Sequence, residues 1–295
     1  MAGSSRLVFV DHKGRVEPIN SPPQAYAQPR LSPEGKRVAI TIFGAKTDIW
    51  IYDLSHDTLT RLTFEANSDY PLWTPDGRRI AYRSTKSGTQ NIFWKPADGS
   101  GTEERLATSQ YNQSPTSWSS DGKTLAFYQI DPKTGRDIWI LAMEGNRKAR
   151  PLLATPFEET GAVFSPDNRW LAYVSNESGR YEVYVRPVSG SGEKWQVSTE
   201  GGMEPLWAPS GRELFYRNGT KVMAVDVATG SAFTAGKPRL LFEGHFRLQG
   251  AGVRTEYDVT SDGQRFLMIQ ESGSQSAPRQ LEVVMEWFSE LKRSK

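Results

Sequence analysis

A short phrase that recurs six times predicts an all-β fold, a six-bladed β-propeller built from four-stranded blades. Three observations carry this prediction: the phrase itself, the β-rich runs that follow it at steady offsets, and a surplus pair of strands at the N-terminus. The copies are residues 31–35 (LSPEG), 73–77 (WTPDG), 118–122 (WSSDG), 164–168 (FSPDN), 207–211 (WAPSG) and 259–263 (VTSDG). Their last residues are 42, 45, 46, 43 and 52 positions apart. That spacing is close to the roughly 40 to 50 residues of a four-stranded propeller blade.

Each phrase has the composition of a tight hairpin turn. Proline presets φ for the first central position, aspartate suits the second, and glycine accepts a positive φ. Asn168 stands where the other copies have glycine, and asparagine is the usual second choice for a left-handed backbone. The phrase therefore predicts a turn between the first and second strands of every blade.

The runs after each turn supply the other strands. Second strands are predicted at 38–43, 80–83, 125–129, 170–175, 214–217 and 266–270. Third strands are predicted at 48–52, 91–94, 137–140, 182–185 and, more faintly, 221–225. These strands are apolar on both faces, as expected for a sheet that neighbours cover on both sides. Shorter, more polar fourth strands, such as 60–63, 104–107 and 195–198, suit an outer edge that faces solvent.

The sixth copy lacks its outer strand, because only residues 281–288 follow its second strand and a polar loop. An unassigned hairpin at residues 6–11 and 15–19 precedes the first full copy. We expect one or both of these N-terminal strands to complete the last blade and close the ring, which removes the free edges of an open array. The sequence then predicts a single domain over residues 1–295. Its blades lie at approximately 24–64, 65–108, 109–154, 155–199, 200–243, and 244–295 together with 5–20.

The composition excludes several classes of function. The 36 basic and 34 acidic residues give a net charge of +2, too balanced to indicate a nucleic-acid partner. No stretch has the ~18 apolar residues of a membrane helix, so membrane insertion is not expected. There is no cysteine, which excludes disulfides and thiolate chemistry. Motifs of serine hydrolases, P-loop enzymes, zinc proteases and EF-hands are also absent from the sequence. We expect a monomer.

Four motifs recur in the copies: a W-[ST]-P-D-G turn, an I-A-[FY] second strand, a D-I-[WY]-[IV] third strand and an R-L-T fourth strand. Together they resemble the TolB-like propeller family, whose units are also called WD40-like or PD40 repeats, and the resemblance covers nearly the whole chain. Residues 257–267, with the late Trp287, also resemble propeller domains attached to bacterial serine/threonine kinases and regulators. The resemblance implies a six-bladed ring that mainly binds partners, often outside the cytoplasm. We therefore expect an extracytoplasmic protein or part of a larger bacterial polypeptide.

Chemistry is expected where the loops that lead into the inner strands converge around the central channel. We call these the inlet loops. Candidate metal ligands there are Asp69, Asn112, Glu159 and Glu204, because Ca²⁺ prefers six to eight oxygen ligands. Candidate ligand-binding residues are Tyr26, Tyr70, Gln113, Glu158 and Arg254. The alternative is that these groups bond water and cap loop backbones in a wet channel.

His245 is the one histidine of three that falls in an inlet loop. An imidazole facing a metal-lined channel could serve as a general base near neutral pH. His12 and His56 fall at hairpin tips, where we expect them to be exposed.

Two functions follow from these residues. The first is a scaffold that binds a protein, peptide or small-molecule ligand at the channel mouth. The alternative is a Ca²⁺-dependent hydrolase of esters, lactones or phosphotriesters in the central channel, with His245 as catalytic base.

Overall fold

The computed structural model describes residues 4–189, 193–230, 232–248 and 255–271. Its 25 strands, numbered β1 to β25 along the chain, form six sheets that contact one another in sequence. The inner strands are β3 (Tyr26–Leu31), β7 (Ser68–Trp73), β11 (Gln113–Trp118), β15 (Glu159–Phe164), β19 (Met203–Trp207) and β24 (Tyr257–Val259). The second strands are β4 (Arg37–Ile42), β8 (Arg79–Ser87), β12 (Thr124–Asp131), β16 (Trp170–Ser175), β20 (Glu213–Asn218) and β25 (Arg265–Glu271). The predicted six-bladed all-β propeller is confirmed.

The outer half of each blade follows the same order. The third strands are β5 (Asp48–Asp53), β9 (Thr89–Pro96), β13 (Gly135–Ala142), β17 (Glu182–Pro187), β21 (Lys221–Thr229) and, in the last blade, β1 (Ser5–Asp11). The fourth strands are β6 (Thr58–Arg61), β10 (Glu104–Arg105), β14 (Ala149–Leu153), β18 (Trp195–Gln196), β23 (Arg239–Glu243) and β2 (Val16–Pro18). A further strand, β22 (Phe233–Ala235), pairs with the far end of β21. We number the blades 1 to 6 from β3 onward.

Both N-terminal strands close the ring. The last sheet has the order β2-β1-β25-β24, and β1 pairs with β25 from Ser5↔Glu271 to Asp11↔Arg265. Leu7, Val8 and Val10 are fully or almost fully buried, so β1 is as deeply packed as any third strand. The predicted segment 281–288 lies outside the described residues.

Neighbouring blades are held together by apolar clusters between their faces. One of them joins Leu7 and Ile269 of blade 6 to Val38, Ile40 and Tyr52 of blade 1. Another joins Ile138 of blade 3 to Tyr173 of blade 4. Because both faces of each strand are buried, successive residues along a strand are apolar rather than every second one.

The six turns of the repeated phrase form a ring of contacts at one end of the propeller, which we call the turn face. Gly77 has φ +67°, and a Cβ built there would lie 3.6 Å from Pro33 in the turn of the preceding blade. The same packing of glycine on the preceding proline recurs at Gly122 with Pro75, Gly211 with Pro166 and Gly263 with Pro209. The phrase therefore both makes the turn and joins it to its neighbour.

The turns of blades 3 and 4 depart from this pattern together. Ser120 takes the place of the proline, and Asn168, at φ +60°, takes the place of the glycine. The Ser120 N–H donates to Asn168 Oδ1 at 2.7 Å, and the Asn168 amide donates to Ser120 Oγ at 2.8 Å. Two hydrogen bonds thus replace the packing of glycine on proline.

Candidate functional site: a funnel at the turn end of the channel

The inner strands enclose a channel that is almost closed in its middle. The free space there is about 20 Å³, close to the minimum of about 10–15 Å³ that one water molecule needs. Its lining comes from four inner strands and the segment before β24, and includes Gln28, Tyr70, Pro115, Gly161 and Thr255. We call this constriction the throat.

The throat is built on strained backbone. Gln28, Tyr70 and Glu204 have φ values of 55°, 58° and 54°, in the left-handed region that costs side-chain-bearing residues about 1–3 kcal/mol each. Together with Gly161 at φ 61° they occupy equivalent positions of four inner strands, each at a β-bulge. Such a repeated bulge points one residue of each of these four strands away from the regular ladder.

Hydrogen bonds between blades hold the throat closed. Gln28 Oε1 accepts from Thr41 Oγ1 at 2.7 Å and from the Tyr70 N–H at 2.9 Å. The Tyr128 hydroxyl donates to the Tyr70 hydroxyl at 2.9 Å. Because each bond crosses between strands or blades, opening the throat would break several of them at once.

On the turn face the channel widens into a funnel of about 310 Å³. Its walls are mostly apolar and come from the first residues of five of the six repeated phrases and from three prolines of the turns. These wall residues are Leu31, Trp73, Trp118, Phe164, Trp207, Pro33, Pro75 and Pro166. Trp73 Nε1 donates to the Arg30 carbonyl at 3.0 Å and Trp207 Nε1 to the Val163 carbonyl at 3.1 Å, so these indoles are fixed between adjacent inner strands.

The funnel floor is a ring of six side chains, one from each inner strand. They occupy the position directly before each phrase and are, in blade order, Arg30, Leu72, Ser117, Val163, Leu206 and Asp258. Four members of the ring are uncharged. The other two, Arg30 and Asp258, carry opposite charges and are neighbours, because blade 6 adjoins blade 1.

Backbone hydrogen bonds hold this charged pair in place. Arg30 Nη1 donates to the Pro29 and Tyr257 carbonyls, both at 2.9 Å. Asp258 accepts from the Leu31 N–H at 2.8 Å and from its neighbour's N–H, that of Val259, at 2.9 Å. Burial raises the pKa of Asp258, while the nearby Arg30 charge opposes that rise.

Most of the described residues predicted as ligands from the inlet loops are buried within the blades. Tyr26 begins β3 and is fully buried; its hydroxyl donates to the Pro22 carbonyl at 2.6 Å, and burial raises its pKa to about 12. Gln113 is also buried, and its amide donates to Gln129 Oε1 at 3.1 Å. Tyr70 lines the throat, as described above.

The carboxylates predicted as metal ligands are held in separate networks. Arg83 binds both oxygens of Asp69, with Nε donating at 2.7 Å. Glu159 is buried and accepts from the Thr155 hydroxyl; burial raises its pKa. Glu204 Oε2 accepts from the Glu256 N–H at 2.8 Å, and burial raises the pKa of Glu204 to about 7.

The remaining predicted residues lie nearer the surface. Asn112 is exposed, and its side chain accepts from the Gln90 N–H at 3.2 Å. Glu158 is half-buried and forms an ion pair with Arg136 at 2.6 Å. His245 is exposed in the loop after β23. Arg254 lies outside the described residues.

The expectation that His12 is exposed is wrong, whereas the one for His56 is confirmed. His56 is exposed as expected, but His12 is half-buried. Its Nε2 lies 2.8 Å from the Gly263 carbonyl, and its ring contacts Phe215 and Phe266. His12 therefore packs between blades 5 and 6 because β1 is an interior strand of the last blade.

Within residues 4–271, apart from the gaps given above, no three His, Asp or Glu side chains are grouped so that they could hold a metal ion. Calcium binding stays a prediction. The same residues contain no helical segment with the length and apolar character that a membrane crossing requires.

Sequence reasoning looked upstream of the phrase and missed the funnel floor directly before it. The signal was available: the position before each phrase reads Arg, Leu, Ser, Val, Leu and Asp across the six copies. Because equivalent positions of a ring surround one axis, a charged pair in adjacent copies predicts a local polar site in an otherwise neutral ring.

The fold and the channel define a six-bladed β-propeller with a nearly closed throat and a funnel on one face. Residues 2–134 match the family model described as the TolB beta propeller domain. This match, over a little less than half of the chain, confirms the resemblance to the TolB-like propeller family that the motifs predicted.

Solved structures agree with this assignment of the fold. A putative TolB from Agrobacterium tumefaciens has a TM-score of 0.74 at 20% identity, over 92% of this chain and 99% of that one. TolB from Acinetobacter baumannii has a TM-score of 0.61 at 17% identity, over 92% of this chain and 64% of that one.

Sequence relatives include proteins of quite different length. An uncharacterised protein of Agrobacterium fabrum is 26% identical over 217 residues, which are 72% of each chain. An uncharacterised peptidase of Bacillus subtilis is 24% identical over 198 residues, which are 64% of this chain but only 28% of the peptidase.

Proposed function

We propose that the chain is a binding scaffold whose funnel receives a short segment of a partner protein. The observation that carries this proposal is the form of the funnel: a volume of about 310 Å³ with aromatic and proline walls on the channel axis. That volume is too small for a folded domain and suits a few side chains. Tryptophan and arginine are among the residue types enriched at the energetic centres of protein interfaces.

The closed throat and the fixed walls support the same function. A constriction of about 20 Å³ stops a ligand at the funnel floor, so binding takes place from the turn face. The contacts between neighbouring turns and the hydrogen-bonded indoles hold the walls in place before a ligand arrives. A preformed site binds more tightly because less freedom is lost on association.

Selection of peptides tests the proposal. A displayed random peptide library is selected on the wild-type protein, and the recovered peptides are measured against Leu206→Arg, which places a long charged side chain in the funnel floor. Phe64→Arg is the matched control, because Phe64 is 56% exposed in the loop before β7, outside the funnel. Thermal melting verifies that both variants fold.

We expect the recovered peptides to bind the wild type and Phe64→Arg, and to lose binding to Leu206→Arg. Peptides that bind the folded Leu206→Arg variant as well as the wild type would refute a site in the funnel. A small molecule that displaces the peptides from the wild type would identify the smaller class of ligand instead.

The extracytoplasmic location and the calcium-dependent hydrolase stay predictions. His245→Ala tests the second of these: if His245 is the base, the variant loses hydrolysis of an ester and phosphotriester panel while still binding metal.

A further inference from the structure

The charged pair on the funnel floor makes one side of the ring dipolar and leaves the rest neutral. Arg30 and Asp258 are both half-buried and both line the funnel. Their four partners in the ring, Leu72, Ser117, Val163 and Leu206, carry no charge. A ligand that reaches the floor therefore meets a positive and a negative group side by side, next to apolar surface.

Both groups keep unused hydrogen-bonding capacity. A guanidinium has five N–H donors, and the acceptors that the described residues offer to Arg30, the carbonyls of Pro29 and Tyr257, are both bonded through Nη1. Its Nε and Nη2 donors remain for a ligand. Each Asp258 oxygen accepts one backbone N–H, which leaves further lone pairs, since a carboxylate has about four acceptor positions.

Arg30 and Asp258 are adjacent, but their hydrogen bonds are made to backbone groups rather than to each other. Arg30 bonds the carbonyl of Tyr257, the residue before Asp258, while Asp258 bonds the N–H of Leu31, the residue after Arg30. The ion pairs formed among the described residues do not include these two side chains with each other. The guanidinium and the carboxylate are thus both available to a ligand, because they do not form an ion pair with each other.

Charge complementarity decides which chemical group fits. A carboxylate would bond Arg30 but be repelled by Asp258, and an ammonium would bond Asp258 but be repelled by Arg30. A carboxamide is neutral and carries an acceptor and a donor side by side. We propose that the group which reaches the funnel floor is a carboxamide, such as the end of an asparagine or glutamine side chain of the bound segment. This inference rests on the proposed function, because it names what the same funnel selects.

Three fragments with the same phenyl group and a three-carbon chain test the selection: 3-phenylpropanamide, 3-phenylpropionate and 3-phenylpropylamine. Each has an aromatic ring for the walls and a different head group for the floor. Binding is followed at pH 8 through the indole ¹H–¹⁵N signals of Trp73, Trp118 and Trp207. We expect the amide to bind the wild type roughly tenfold more tightly than either charged fragment, since like charges brought together at a site are strongly disfavoured.

Substitutions of the pair then change the preference in opposite directions. Asp258→Asn removes the negative charge, so the propionate is expected to gain roughly tenfold; Arg30→Gln removes the positive charge, so the amine is expected to gain by a similar factor. Asp76→Asn is the matched control, because Asp76 is an exposed turn carboxylate outside the funnel lining. Arg30→Lys keeps the charge and reports on binding if Arg30→Gln does not fold.

The outcomes separate the inference from the proposed function. Equal binding of all three fragments, unchanged by Asp258→Asn and by Arg30→Lys or Arg30→Gln, overturns the carboxamide and leaves the funnel as a binding site. Tightest binding of the propionate to the wild type also overturns it and assigns the floor to an anionic group. Absence of binding by all three fragments counts against both the carboxamide and the funnel.

Discussion

Replacing Asn168 by glycine tests the contact that joins the turns of blades 3 and 4. The change removes two hydrogen bonds to Ser120, with lengths of 2.7 and 2.8 Å, each contributing about 0.5–1.5 kcal/mol. Glycine costs about 0.4–1 kcal/mol through the greater freedom of the unfolded chain, but this cost is offset because glycine is unstrained at φ +60°. Both bonds lie near the surface, so the lower values apply. We expect the loss of the two bonds to lower the free energy of unfolding by about 1 kcal/mol.

The double variant Ser120→Pro, Asn168→Gly recreates the arrangement seen at Pro33 and Gly77. Each single substitution breaks the same pair of bonds, whereas the double variant replaces them with the packing found at other junctions. We therefore expect the double variant to recover most of the loss, with a coupling energy of about 1 kcal/mol. Urea denaturation of the four proteins gives this energy from their midpoints, provided that the m-value is constant.

Gly122→Asn is the control for the residue type. Gly122 has φ +70°, and its added Cβ would lie 3.8 Å from Pro75, which has no N–H to donate. Asparagine there should bring no stabilisation. An unchanged midpoint for Asn168→Gly, or a double variant that loses the sum of both single losses, would show that the two turns are not coupled.

Four other predictions concern closure, titration, the turn ring and metal. Leu7→Ala should cost about 2–5 kcal/mol in urea denaturation, because Leu7 is fully buried on β1; a small effect would contradict closure by that strand. The pKa of Glu204 is about 7 in the folded protein against an ordinary 4.5, so the folded state holds an extra proton between these pH values and stability falls as pH rises through them. Glu204→Gln should remove up to about 3 kcal/mol of that fall between pH 5 and pH 7.5; an unchanged pH dependence would refute the assignment. Gly35→Asn, at φ +71° opposite Ser261, should change stability by less than about 1 kcal/mol, because bonds like those of Asn168 offset the strain of a side chain at positive φ, and a larger loss would show that a serine partner is insufficient. If the predicted ligands hold calcium, chelation should lower the melting temperature of the wild type but not that of the Glu159→Gln, Glu204→Gln variant.

The ring, its strands and its turns could be predicted because each is encoded by local chemistry that repeats. Proline followed by glycine two residues later specifies the turn, and Gly77 and Asn168 both have the positive φ that the phrase predicts. The unpaired outer position of the last copy predicted closure by the N-terminus. What the repeat could not show was how many N-terminal strands take part, because β1 and β2 precede the first copy and have no counterpart to align with.

The side chains of the inlet loops could not be placed from the sequence because their partners are distant along the chain. Asp69 is bonded by Arg83, which faces it across the β7–β8 pair. Glu204 bonds the N–H of Glu256, 52 residues away in the next blade. Tyr26 was placed in a loop, but β3 already begins there and its ring is buried between blades. The polar residues of the inlet loops predicted an open ligand site, but strand register and packing bury most of these side chains.

Departures from a repeat are of two kinds, and this propeller contains both. Ser120 and Asn168 both depart from the phrase, and they form two hydrogen bonds with each other. Their polar groups are therefore satisfied within the fold. Arg30 and Asp258 depart from a neutral ring together, but each bonds backbone groups. A buried charge pair kept for stability would be expected to bond directly, because its desolvation is otherwise not repaid. Both residues line the funnel, so the ligand proposed above would supply the partners that the two side chains do not supply for each other.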